Sequence, residues 1–166
     1  MNCQKFISQF GNLFEHSPWV AEDAYDVWCS QYGSQYSVNA IHSSMVEAFQ
    51  NTARPKRLDV LKAHPDLAGK LAQAKRLTAE STAEQASAGL DALTDHERET
   101  FTQLNVQYTD KFSFPFIIAV RDHDKQSILN AFERRINNDV ETEFSEACRQ
   151  VERIVYHRLK DMVHDH

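Results

Sequence analysis

Glycine and proline are scarce in this chain of 166 residues, four of each. No linker rich in either interrupts it, so a single domain over residues 1–166 is expected, with two small bundles sharing a core as the alternative. The three cysteines, Cys3, Cys29 and Cys148, are odd in number and unclustered. That excludes a disulfide framework and a cysteine-built zinc site, and it fits a reducing compartment. No apolar run approaches the roughly 20 residues that span a bilayer, so no membrane partner is expected. The opening "MNCQKFISQF" lacks an apolar signal core, and the closing "MVHDH" is not a peroxisomal address. The expected location is the cytoplasm. Positive charge is thin as well. The net charge is −6, and no stripe of lysine and arginine is interleaved with aromatics, which argues against a nucleic-acid partner. The basic pair Arg134-Arg135 is expected on a solvated helix face.

Several catalytic signatures are missing too. There is no glycine-rich phosphate loop, no nucleophile elbow and no dinucleotide fingerprint. The histidines form no His-x-x-x-His pair, and His164 and His166 read as a frayed tail, so no metal site is expected.

What the chain does have is helix. Hydrophobic residues make up 42% and charged residues 25%, enough for a core and too apolar for disorder. Ser17-Pro18 reads as the cap and first residue of a helix through "PWVAEDAYDVWC". Val38, Ile41, Met45 and Phe49 recur at helical spacing between about Ser37 and Thr52. Pro55 opens "PKRLDVLKA", which breaks at His64-Pro65; a short turn is expected to follow, ending near Lys75. Ser81-x-x-Glu84 and Thr94-x-x-Glu97 both match the capping-box pattern. "SFPFIIAVRDHD" has no helical period and contains Pro115, so it reads as an extended connection. A helix from about Lys125 to Ile136 follows. The last begins near Asn138 and carries Val140, Phe144, Cys148, Val151, Val155, Leu159 and Met162 as one stripe. The expectation is an all-α, bundle-like domain of about eight helices with an irregular segment near 112–122.

Three stretches could carry chemistry. Proline pushes its predecessor out of the α-region, so His64 sits at a helix break, where a side chain can be aimed into a cleft. It could cap a carbonyl there, or it could transfer a proton, since imidazole titrates near neutrality. Ser81 and Glu84 are explained by a capping box, yet a helix start with exposed N–H groups can also bind an anion or a polar ligand edge. The side chains of "FPFIIAVR" suit a core, while its irregular backbone needs hydrogen-bond partners that a ligand could supply. Arg121 could attract an anionic ligand or form an ordinary ion pair.

In that order, "HSPWVAE", "AHPDLAGK", "STAEQASAGLD" and "FPFIIAVR" resemble the 2-oxo-4-hydroxy-4-carboxy-5-ureidoimidazoline (OHCU) decarboxylases of urate breakdown. The resemblance runs from about Phe6 to Leu159. It implies an all-α fold, loss of carbon dioxide from an anionic ureidoimidazoline to give (S)-allantoin, no metal or organic cofactor, and a homodimer. It places the catalytic histidine at His64, with Pro65 lining the site. It places the substrate-contacting stretch at Ser81, Thr82, Ala83, Glu84 and Gln85, with Glu84 assigned to catalysis. The backbone-contacting stretch falls on Phe116, Ile117, Ile118, Ala119 and Val120. The ending resembles the bacterial members rather than the eukaryotic ones. The competing reading is a non-catalytic helical interaction module in which the same motifs serve as caps and core.

Overall fold

The computed structural model describes residues 1–65, 67 and 93–163. Among these residues there are seven α-helices, one 3-10 turn and no strand. The chain forms two compact units. One comprises Met1–Ala63 with Glu152–His166, and the other comprises His64–Val151.

The first unit holds α1 (Cys3–Phe10), α2 (Trp19–Gln31), α3 (Val38–Gln50), α4 (Arg54–Ala63) and the end of α7 (Val140–Met162). Asn2 starts α1, its side chain accepting from the Lys5 amide at 2.9 Å. Ser37 does the same for α3 from the Ala40 amide at 3.1 Å. The four apolar residues of α3 expected on one face, Val38, Ile41, Met45 and Phe49, are all buried. Phe6 of α1 meets Trp28 of α2 with ring centroids 5.0 Å apart, and Phe14 meets Phe49 at 5.1 Å. Each such side chain removed from water stabilises the fold by ~1.5–3 kcal/mol. Ser17 departs from expectation. Pro18 takes the cap position of α2, and the Ser17 hydroxyl donates back to the Glu15 carbonyl instead of capping. Pro18 has no N–H to lose there, and its φ of −63° already suits the helix.

The second unit holds α5 (Asp95–Phe112), α6 (Lys125–Arg135) and the first half of α7. Thr94 and Glu97 form the expected capping box, with both reciprocal bonds made. A second box, Asp124 with Ser127, opens α6. Within α7, Phe144, Cys148, Val151, Val155 and Leu159 are buried as expected. The two ends of the stripe are not: Val140 and Met162 are 45% and 40% exposed. They lie in the terminal turns. The helix also buries Glu143, Ala147, Ile154, His157 and Arg158. The capping box expected at Ser81 and the turn expected near Lys75 lie outside the described residues.

Candidate active site

Helix α4 ends at Ala63, and His64 and Pro65 follow outside it. The break falls where Pro65 puts it, because the residue before proline avoids the α-region. His64 is buried and Pro65 half-buried. Both belong to the second unit, as does the Phe116–Val120 segment. Ser81, Thr82, Ala83, Glu84 and Gln85 lie outside the described residues.

The segment between α5 and the 3-10 turn begins with Ser113 in the left-handed region, φ 64°, which ends α5 and turns the chain. From Phe116 to Val120 every residue is buried. Such a run usually signals a strand inside a sheet, but no strand lies beside it among the described residues. Its backbone partners come partly from side chains. Arg135 Nη1 donates to the Ile117 carbonyl at 2.7 Å, and the Ala119 amide donates to Gln150 Oε1 at 2.9 Å. The carbonyls of Ala119 and Val120 accept from Asp122 and His123 in the turn that follows. Phe116 stacks on Phe132 of α6, with centroids 3.8 Å apart and planes 5° from parallel.

Arg135 is therefore not on a solvated face. It is 1% exposed, whereas its neighbour Arg134 is exposed. Its guanidinium carbon lies 4.4 Å from the Phe116 ring centroid. Its Nε donates to Glu143 Oε1 at 2.7 Å, and its Nη2 lies 2.6 Å from the same oxygen. Glu143 is fully buried and accepts two further bonds, from the Tyr108 hydroxyl at 2.6 Å and the Asn138 amide at 3.1 Å. Burial pushes the Tyr108 hydroxyl well above the ordinary tyrosine range, and the Glu143 carboxylate adds to the shift. Tyr108 thus stays protonated and keeps donating. A buried charge pair is tolerated when hydrogen bonds meet most of its polar atoms; here Nε and Nη1 of Arg135 are bonded, while Nη2 has the ion-pair contact with Glu143 but no hydrogen bond.

The sequence carried a signal for this network. Arg135 follows Ile128, Ala131 and Phe132 at steps of seven, four and three, on the face that α6 buries. Glu143 precedes Phe144 by one residue and Ala147 by four, beside the buried stripe of α7. Gln150 had no such signal. In the first unit, Arg158 is buried too, donating to Glu15 Oε1 at 2.7 Å and to the Leu13 carbonyl at 3.2 Å. Among the described residues, no cluster of three or more histidine, cysteine, aspartate or glutamate side chains is arranged to hold a metal ion.

A family model for OHCU decarboxylase matches residues 1–160. The 2-oxo-4-hydroxy-4-carboxy-5-ureidoimidazoline decarboxylase of Haloferax volcanii is 42% identical, over 97% of this chain and 90% of that protein. The uric acid degradation bifunctional protein of Bacillus subtilis is 36% identical over 98% of this chain, which spans 31% of that longer protein. Among solved structures, a crystal structure of (S)-allantoin synthase superposes with a TM-score of 0.78 at 29% identity, covering 99% of this chain and 51% of the other. The class so defined is that of all-helical carboxy-lyases acting in urate degradation. Within it, the chain belongs to the OHCU decarboxylase family.

Proposed function

We propose that the chain converts 2-oxo-4-hydroxy-4-carboxy-5-ureidoimidazoline to (S)-allantoin and carbon dioxide, with residues 1–166 acting as one domain. The observation that carries this is the family match over residues 1–160, a range that contains the "AHPDLAGK", "STAEQ" and "FPFIIAV" motifs. The substrate carbon bears a hydroxyl and a carboxylate, next to a ring carbon double-bonded to nitrogen. When the bond to the carboxylate breaks, its electron pair moves toward that C=N bond, as in a β-imino acid. The substrate is its own electron sink, so the reaction asks for no cofactor.

The protein must desolvate the carboxylate, steady the developing charge and deliver a proton to one face. In this reading His64 transfers the proton from the helix break that Pro65 sets. Glu84 holds the hydroxyl and the imidazole partner. Ser81, Gln85 and the backbone of Phe116–Val120 grip the ureido and ring edges, with Pro65, Thr82 and Ala83 lining the site. The cytoplasm suits the free thiols of Cys3, Cys29 and Cys148. A symmetric homodimer is the proposed assembly.

Circular dichroism on freshly generated OHCU tests the reaction. The (S)-allantoin signal is expected to develop far faster with the protein than without it, and to do so equally after exhaustive chelation. No acceleration would refute the activity, and a chelation loss restored by a divalent metal would refute the cofactor-free mechanism.

A further inference from the structure

The extended segment is clamped at two peptide groups, one from each of two helices. Arg135 on α6 holds the Ile117 carbonyl, and Gln150 on α7 holds the Ala119 amide. The clamps flank Ile118. Among the described residues, neither the N–H nor the C=O of Ile118 takes part in a hydrogen bond. Ile118 is nonetheless buried at 6% exposure. Buried backbone groups are rarely left unpaired, so this peptide is a place for a ligand that offers one acceptor and one donor.

Gln150 is itself held in one orientation. Its Nε2 donates to Glu146 Oε1 at 3.0 Å, and Arg149 Nη2 donates to Glu146 Oε2 at 2.7 Å. Burial alone would push the Glu146 carboxyl up, but the bonds from Arg149 and Gln150 outweigh it and the net shift is downward. Glu146 is thus a carboxylate at neutral pH and can only accept. Gln150 must turn its NH2 toward Glu146, which leaves its oxygen facing the Ala119 N–H. A flipped amide would set NH2 against N–H at Ala119 and oxygen against carboxylate at Glu146.

We propose that Gln150 is a positioning residue for substrate recognition: with Arg135 opposite, it fixes the two peptide groups on either side of Ile118 so that the Ile118 N–H and C=O pair with the ureido edge of the substrate. This rests on the placement of the substrate against residues 116–120. A ureido group carries a carbonyl beside N–H donors, the complement of a peptide edge. Such a grip acts on bound substrate and product alike, so it is realised in affinity rather than in the bond-breaking step.

The test is Gln150→Met, which keeps length and removes the acceptor. KM for OHCU and the dissociation constant of (S)-allantoin should rise together by about tenfold, with kcat within about threefold of the wild type. Glu146→Gln, which frees the Gln150 amide to turn, should move both constants in the same direction by about threefold. A role confined to stability would lower the melting temperature and leave both constants unmoved. A folded Gln150→Met protein whose KM and allantoin affinity stay within about twofold of the wild type overturns the proposal. If Gln150→Met does not fold, Glu146→Gln decides by whether both constants rise. A wild type without turnover would instead overturn the decarboxylase reading, before any variant is compared.

Discussion

Pro65 decides where α4 stops, and with it where His64 stands. The break does not depend on the imidazole, so His64→Asn should keep the fold. If His64 transfers the proton, kcat should fall by roughly 10²–10⁴-fold, the usual range for a lost general acid or base. KM should change less, because the Ile118 peptide and the Ser81–Gln85 stretch remain. Glu84→Gln is the companion variant. As a catalytic holder Glu84 should slow turnover when changed, whereas a purely capping residue would cost about 1 kcal/mol of stability and nothing in rate. Normal turnover by both variants would make the motifs structural. At this scale the sequence was legible where a residue's meaning is local. The helix break at His64-Pro65 was readable because proline acts on its immediate neighbour. Arg135 was misread because the pair Arg134-Arg135 looks the same whether solvated or split. Only the helix phase separates them, putting one outside and the other over Phe116. Glu143 was missed for a related reason: a buried carboxylate needs partners, and its bond from Tyr108, 35 residues away, leaves no local pattern.

Helix starts are written in short patterns, and not every pattern caps as written. At Thr94 the box forms even though Glu97 Oε1 also accepts from Lys125 Nζ at 3.4 Å. The Glu97 amide donates to the Thr94 hydroxyl at 3.1 Å, and the Thr94 amide donates to Glu97 Oε1 at 2.9 Å. At α2 the cap position falls one residue later than expected, on Pro18, and no side chain caps that helix. The period of α7 placed its centre correctly and overreached at Val140 and Met162, since periodicity does not tell which turns are covered. The α5 start yields a prediction independent of catalysis. Thr94→Ala should destabilise by ~1 kcal/mol with kcat/KM unchanged. The Glu97 carboxyl sits below its ordinary value, chiefly because the Thr94 amide donates to it. A lowered carboxyl pKa stabilises the fold above the unfolded value, about 4.3, and that stabilisation fades as pH falls through the folded value. Glu97→Gln should therefore melt below the wild type at pH 7, and the gap should narrow as the pH drops below about 4. Thermal melts across that range check it. A gap that stays constant with pH would show that the charge on Glu97 contributes nothing to the cap.

At the scale of the whole molecule, the net charge of −6 and the proposed homodimer pull against each other. A twofold pair brings two like-charged copies together, and repulsion between exposed charges reaches about one Debye length, ~8 Å at physiological salt. An interface between small proteins buries about 800 Å² on each side and draws its affinity mainly from an apolar centre. The described surface supplies exposed apolar residues in both units: Tyr36 and Met162 in the first, Val106 and Val140 in the second. Large exposed side chains standing singly are ordinary, so none of them marks the interface by itself. The salt dependence is more decisive. If apolar burial holds the dimer against its own charge, added salt screens the repulsion without weakening the attraction. Sedimentation at micromolar concentration should then show a species of twice the chain mass. Its dissociation constant should hold or fall as sodium chloride rises from about 20 to 300 mM, a range over which the Debye length shrinks several-fold. A dimer that loosens over that range would be held by ion pairs across the interface instead. A chain that sediments only as monomer at every salt concentration would remove the homodimer altogether.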